Sequence, residues 1–536
     1  MQRTASLSYF TIQRKRLYHC SVKKSIPFLK KYPKHKKIFV KNTKNEMFFS
    51  EIRRFSVLDR FVFLKNELAK AFSGMEDFYA RNLKFGNDEF FLYYIRGHSA
   101  GDAINRFVIS PISEAYIEGR GANPIESIVT ITGFTAAKTL EEAKNAILSG
   151  NSLLVFAAMP PDVFGYICAT RNETARPNTE PETENVVRGP HEGFNETAVQ
   201  SEMLLRRRIK SERLKSEKMT IGTLSKTDVI IMYIEGIVNE RALDILKKRL
   251  SSIRTDALLD SGSVEAYISD GKHALYPTVG NSERPDKVAG KILEGRIAII
   301  VDGSPVVLTV PYLFCEGFQV SEDYAKSSFF ATFVRSLRFA AVLFALYLPA
   351  LFTSLVTHHI DFLPQEIAEY MAESRKEMTV SLLWEVVTAF IIFEILREVG
   401  LRMPKAVGSA VGIVGSLILG ESAVSAGIIS PLVLIIVAFS AVCNFICAPY
   451  MNPNGLYRFA ALIVSGFTGM FGFFAFTAFT LLLGCEKTSF GVPYFSPFAP
   501  ISTRGLADFL YMAPIWKQKK LPSCVSGRDI TRTEGK

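Results

Sequence analysis

Charged side chains stand where the surrounding sequence is built for hydrocarbon. Between Val380 and Val399 lie Glu385, Glu394, Arg397 and Glu398, and Glu421 interrupts a second apolar run just after Gly420. Ionised groups are costly in lipid, so each must face protein, a partner charge or water. Glu394 and Glu398, four residues apart, share one side of a helix, and Arg397 lies within reach of Glu394. One reading makes them part of an ion path. The other makes Arg397 and Glu398 the cytoplasmic end of a span, beside Arg402 and Lys405. Around Glu421 the residues are small: Gly408, Gly412, Gly415 and Gly420 stand among several serines and alanines, and Gly408 and Gly412 form a GxxxG pair that lets backbones approach closely. A helix broken beside Glu421 would expose its carboxylate to a water-filled path. A satisfied structural carboxylate, or a position in an outer loop, is the competing account.

A second concentration is Arg188-Gly189-Pro190-His191-Glu192-Gly193-Phe194. A catalytic reading would make His191 a base oriented by Glu192, but adjacent residues seldom face each other, and no nucleophile or ligand set stands nearby. The structural reading pairs Arg188 and Glu192 with the start of the helix expected over 196–209, whose acid-early, base-late order suits its dipole. His358 and His359 form a pair that could sense pH or simply meet water. The chain has seven scattered cysteines with no disulfide framework or zinc spacing. With no phosphate loop or nucleophile motif either, the sequence predicts neither an enzyme nor a cofactor.

These residues need two kinds of scaffold. From 329 to 484 the sequence contains runs of about twenty apolar residues, the length that crosses a hydrocarbon core about 30 Å thick. Spans are expected over Leu337–Thr357, Val380–Val399, the small-residue stretch, Leu432–Ala448 and Phe459–Leu483, with Gly466, Gly469 and Gly472 placed to break the last. Ile367, Tyr370 and Met371 are spaced like the apolar side of a short interfacial helix. Arg335 and Arg338 at the first span put the preceding region in the cytoplasm. Five simple crossings would then leave Lys517, Lys519 and Lys520 outside, so an even number is expected, with one glycine-rich segment re-entrant or split.

Ahead of the spans the expectation is an α/β soluble head of two similar subdomains, 61–185 and 186–328, followed by an α-helical polytopic membrane domain at 329–484 and a C-terminal tail at 485–536. The strand Phe90–Gly97 with a helix over Ala103–Ile112 recurs as Val229–Gly236 with Glu240–Leu250. Ala146–Gly150 before Leu153–Phe156 recurs as Lys291–Gly295 before Ile297–Val301, and this suggests a duplication. Gly150 and Gly295 suit the left-handed residue that closes a helix, and Asp302-Gly303 turns one strand into the next. Each half reads as a small α/β unit with mixed strands, joined by a polar linker over Arg171–Asn185. The net charge is +11 and the mean hydropathy +0.17, as suits a half-embedded protein. Residues 1–60 carry 16 Lys or Arg against three acids and read as a disordered basic tail that is solvated or lies on anionic lipid or nucleic acid. No secretory signal is visible in the first thirty residues.

Arg188 to Phe194, Arg397-Glu398-Val399-Gly400-Leu401-Arg402-Met403-Pro404, Gly412-Ile413-Val414-Gly415 and Ser489-Phe490-Gly491-Val492-Pro493-Tyr494 together resemble the A subunit of bacterial spore germinant receptors, the GerA type. The likeness covers about Phe72 to Pro522. The basic tail departs from the family, which leaves Met47 or Met75 as later candidate starts, and Val399 stands where the family has Ala. The resemblance implies a non-enzymatic receptor component in the inner membrane of an endospore, without nucleic acid as a partner. It would act with a permease-like B subunit that binds the nutrient and a lipoprotein C subunit outside. It also implies self-association into an oligomer whose membrane part opens as an ion path. A secondary transporter and a non-conducting structural scaffold remain as alternatives. A transporter should repeat its membrane halves, whereas the repeat here lies in the head, and a scaffold would not need Glu394 or Glu421.

Overall fold

The first helix, α1 (Val57–Ala71), turns Leu64 and Leu68 inward and lays Phe61 against Phe91, with ring centroids 5.6 Å apart. The structure, a computed structural model, describes residues 57–531 apart from 87, 173–179, 182, 183, 185, 187, 272–275, 377, 379, 403–417, 419, 507, 519, 522 and 527–530. The basic tail to residue 56, and Gly408, Gly412 and Gly415, therefore lie outside the described residues. Met75 is buried and bridges to Ser216, so a chain beginning there would forfeit the packing of α1.

Two five-stranded sheets follow. The first holds β1 (Phe78–Phe85), β2 (Asp88–Ile95), β3 (Phe134–Ala137), β4 (Ser152–Phe156) and β5 (Gly165–Cys168) in the order β1-β2-β4-β5-β3. The second holds β6 (Leu214–Ile221), β7 (Thr227–Ile234), β8 (Gly280–Ser282), β9 (Ile297–Val301) and β10 (Val307–Val310) in the order β6-β7-β9-β10-β8. Position for position the two orders are the same. Every neighbouring pair is antiparallel, not mixed as the sequence suggested. The reason is the edge strand of each sheet: β3 or β8 intervenes between two helical segments, so the chain re-enters the sheet reversed.

Helices α2 (Ser110–Ile117) and α3 (Leu140–Leu148) serve the first sheet, with a π-helical turn over Asn105–Ile109 ahead of α2. Helices α4 (Ala198–Arg208), α5 (Glu240–Ser252) and α6 (Pro285–Leu293) serve the second. Gly150 and Gly295 close α3 and α6 with φ of +94° and +101°, a conformation glycine adopts without a Cβ clash. All of β9 and β10 is buried. Leu246 and Leu250 of α5 pack on one face of this sheet, and Leu205 of α4 with Ile292 of α6 on the other. Each such side chain contributes roughly 1.5–3 kcal/mol of burial.

The helical part contains α7 (Ser328–His358), α8 (Gln365–Ser374), α9 (Leu382–Arg402), α10 (Pro431–Phe445) and α11 (Met451–Glu486). The segments containing α7 and α11 are long and apolar enough to cross a membrane, and the most apolar part of the second is only 33% buried. In α8 Met371 is buried while Ile367 and Tyr370 are exposed.

A straight helix of 36 residues would be about 54 Å long. Yet both ends of α11 meet one residue, Tyr276. The Tyr276 ring stacks on Tyr457 at 5.1 Å and its hydroxyl donates to Asn454 at 3.3 Å, while its carbonyl accepts from Lys487 at 2.5 Å. The single span expected over Phe459–Leu483 is thus two arms folded back at Gly469, where φ is +66° and ψ −147°. The apex lies beside His358, whose Nε2 is 2.9 Å from the Gly466 carbonyl oxygen. The near end of the layer, next to the second sheet, holds the start of α7 and both ends of α11; the far end holds His358 and Gly469. The segment after α11 returns to the second sheet: Ser489 accepts from the Tyr312 N–H at 2.9 Å, and the Phe490 N–H donates to Asp270 at 2.6 Å.

Candidate functional site

The foot of α7 is an ionic seam. The capping Ser327 accepts from the Phe330 N–H and starts a helix whose third turn carries Arg335 and Arg338. Arg335 is completely buried. Its Nε lies 3.1 Å from Asp323 and its Nη1 3.0 Å from Asp508, with Nη1 also reaching the carbonyls of Asp508 and Phe509 at 2.9 and 3.1 Å. Arg338 pairs with Asp323 at 2.7 Å and donates to the Phe318 carbonyl at 3.0 Å. The two arginines are therefore neutralised within the protein rather than standing as free positive charge. One layer deeper, Glu316 accepts from Arg296 at 3.1 Å and from the Leu313 N–H at 2.9 Å, and forms an ion pair with Lys291 at 3.0 Å. Burial works against the Glu316 charge, but Arg296 and Lys291 outweigh it and its carboxyl titrates below the usual range. For Asp508 burial wins over Arg335, and its carboxyl is raised. Phe314, Phe318, Tyr450 and Phe509 surround the seam with aromatic contacts.

Asp323 and Asp508 were invisible as partners in the sequence. Asp508 lies 173 positions beyond Arg335, and no local periodicity links them. The one available signal was a pair of arginines on an apolar helix, which require acids from somewhere.

Within the layer, α9 and α11 bring Glu394 between two cations, Arg397 at 2.8 Å and Arg458 at 2.8 Å. The first pair follows from the i,i+3 spacing; the second needed the fold. Arg458 is 1% exposed and lies 4.0 Å from the centre of the Phe390 ring, a cation–π contact. Glu398 instead pairs with Arg402 at 2.7 Å on an exposed face, so the structure separates the two carboxylates that share a helix side. Glu385, at the far end, is buried and accepts the Ser430 N–H at 2.5 Å. Glu421 is exposed, on the helical stretch 420–425, and among the described residues nothing joins its carboxylate to Glu394.

The motif at 188–194 spreads its members over several contacts. The Arg188 N–H donates to Glu322 at 3.4 Å, Gly189 has φ of +150°, Pro190 is exposed, and the exposed His191 lies 3.5 Å from Glu180. Gly193 is buried, and Phe194 enters the second sheet's core. Glu192 pairs with Arg207 at 3.5 Å and Arg208 at 2.6 Å. This corrects the expected pairing with the start of the following helix: Glu192 reaches the end of α4, because the chain doubles back along it. The start of α4 is capped instead by Asp302, which accepts the Ala198 N–H at 2.9 Å.

Among the described residues no group of three or more His, Cys, Asp or Glu could hold a metal ion. Across 66–524 the sequence matches the family model of the Bacillus/Clostridium GerA spore germination protein. The chain belongs to the GerA spore germination protein family. This GerA-family chain is 36% identical to spore germination protein KA of Bacillus subtilis (strain 168), over 87% of each chain. It is 33% identical to the uncharacterized membrane protein YfkQ of the same organism, over 84% of this chain and 89% of that one. The crystal structure of the N-terminal domain of the A subunit of the Bacillus megaterium spore germinant receptor GerK3 is 29% identical, covers 48% of this chain and 96% of that chain, and has a TM-score of 0.36. The match over 66–524 bears out the resemblance carried by the four motifs.

Proposed function

We propose that this chain is the A subunit of a nutrient germinant receptor in the inner membrane of an endospore. It performs no bond chemistry and uses no cofactor. It acts with a permease-like B subunit that binds the nutrient and a lipoprotein C subunit, and copies of it self-associate so that their helical layers enclose an ion-conducting path. Family membership and the motifs support the receptor role.

The observation that carries the membrane reading is the return of the chain to the head. With Arg335, Tyr450 and Lys487 all beside the second sheet and the Gly469 apex at the far end, α7 and the two arms of α11 leave and come back to one side. α9 starts at the far end and reaches the near end at Glu394; α10 starts at the far end at Ser430 and returns toward Arg338. Counting the small-residue stretch as the span its sequence predicts, there are six passes. An even number places the basic segment at Lys517 and Lys520 on the same side as the head, and the positive-inside rule puts that side in the cytoplasm. Broad apolar exposure along α11, with Phe467, Phe471 and Phe474 at 67%, 81% and 60%, suits lipid or neighbouring subunits.

In this reading the duplicated head multimerises and acts through the Asp323–Arg335–Asp508 seam on a path lined by the small-residue stretch, Glu394 and Glu421. The test is nutrient-triggered ion flux in proteoliposomes holding the assembled receptor. The parent conducts, and Glu421→Gln and Glu421→Ala alter the flux; unchanged flux in both removes Glu421 from the path. An intact assembly that passes no ions would favour the structural scaffold, and flux strictly coupled to solute uptake the secondary transporter.

A further inference from the structure

The far end of the helical layer contains a cavity of about 340 Å³ that the conducting role does not use. Val356 and Thr357 of α7, Arg375 just after α8, Ser381 and Trp384 at the start of α9, and Phe467 below the α11 apex line it. The Nη1 of Arg375 is shielded from solvent yet, among the described residues, has no hydrogen-bond partner. Its ion-pair partner Glu385 stands 3.8 Å away, beyond hydrogen-bond reach, and the facing Glu385 oxygen is likewise unpartnered. Charge therefore holds Arg375 in place while its shielded Nη1 stays unmet, and a shielded unmet donor is costly. The hydroxyls of Ser381 and Thr357 share the cavity, and the first turn of α9 brings further N–H groups and the positive end of a helix dipole. Trp384, Phe467 and Val356 supply an apolar wall.

The geometry points to a binding site for a small molecule that carries an oxyanion, carboxylate or phosphate, on an apolar body. The planar guanidinium of Arg375 takes the oxyanion through parallel N–H donors, the hydroxyls complete its coordination, and the apolar body lies along Trp384 and Phe467. The volume is at the lower end of ligand cavities, about 300–1,000 Å³, so the occupant is compact. The same chemistry has two sources: a free carboxylate from the far side of the layer, or a lipid headgroup phosphate. Because Gly466 also lines the cavity and its carbonyl meets His358 at 2.9 Å, an occupant lies against the fold-back at Gly469.

Trp384 provides the readout, since the chain has two tryptophans and Trp516→Phe leaves Trp384 alone. The full chain carrying that change is placed in nanodiscs of phosphatidylcholine, and Trp384 emission is followed while isovalerate is added. A parallel series contains phosphatidylglycerol. Saturable change with isovalerate in phosphatidylcholine identifies a free ligand; a shift on adding phosphatidylglycerol, with the isovalerate response lost, identifies the headgroup. In either case Arg375→Gln weakens the response about tenfold or more, Arg375→Lys weakens it less, and Ser381→Ala gives an intermediate loss with an unliganded spectrum like the parent's. No response that depends on Arg375 in either series, or an Arg375→Gln protein that titrates like the parent, overturns the site. The measurement needs no ion flux, so it stands or fails separately from the conducting role.

Discussion

The two sheets of the head share one strand order and differ in what they are fastened to. The second is fixed on several sides: Ser489 and Phe490 bind it from the C-terminal segment, and Glu316 joins its Arg296 to the segment leading into α7, whose foot Asp323 and Asp508 hold. The first is fastened to the second. Asp77 and Arg206, each about 2% exposed, form a two-pronged ion pair with Nη2 to Oδ1 at 2.7 Å. Next to it Lys215 donates to the Ser73 carbonyl at 2.6 Å, and the Lys218 N–H donates to Glu76 at 2.8 Å. Two sheets of one strand order thus hold two mechanical positions. One is bolted to the helical layer, and the other reaches that layer through it. The Asp77–Arg206 pair is the most deeply buried charge contact among the links that join the first sheet to the second.

The largest way to break this comparison is Arg206→Ala, which leaves Asp77 buried without its cation. A cost of about 3–5 kcal/mol is expected, read as faster limited proteolysis of the first half in the detergent-solubilised chain while the second half stays resistant. Equal loosening of both halves would contradict the difference in fastening. Glu202 sharpens the same boundary: burial first, then Asp77, pushes its carboxyl up to about 7 from the usual 4.5, against Arg206 and Arg96. A raised carboxyl means the folded state binds more protons. Its share of stability is complete below pH 4.5 and is lost as pH rises through about 7. Glu202→Gln should remove up to about 3 kcal/mol of that loss, seen as a flatter denaturation midpoint between pH 5 and pH 8 (both about).

On the second sheet's side, Asp508→Ala withdraws one of the two acids on Arg335 while Asp323 remains. A loss of about 2 kcal/mol is expected in thermal melts, centred on the seam rather than on the first sheet. Gly469→Ala tests the fold-back. A side chain at φ +66° that would also stand 3.1 Å from the His358 Cβ should cost about 1–2 kcal/mol, and crosslinks between the two arms of α11 should drop accordingly. The smallest effect belongs to Glu192→Ala, whose partners Arg207 and Arg208 remain partly solvated. Less than about 1 kcal/mol is expected, and a larger loss would promote this surface pair into the head's core machinery.

Much of this was legible in the residues. Strand phrases around Phe91 and Ile231 alternate with helical spacing and glycine stops, and those are local signals that survive without tertiary context. Arg397 beside Glu394 followed from helix periodicity alone. Strand direction did not: whether β4 runs with or against β2 depends on where an edge strand is inserted, which leaves no trace in either strand's composition. The position of the break in α11 was narrowed to three glycines, but Gly466 and Gly472 remain within the helical arms while Gly469 alone leaves helical geometry. The difference is a matter of neighbours, since His358 meets the chain at that level.

By itself the sequence determined where the chain is polar and where it is apolar, where it repeats, and where it can turn, because those properties belong to residues and their near neighbours. The tertiary structure decided which acid neutralises which arginine, on which end of the layer each arm finishes, and which of the two sheets is joined to the helices. Those outcomes depend on side chains brought together from up to 173 positions apart, and the free energy of a buried charge is fixed by whatever stands a few ångströms from it in space.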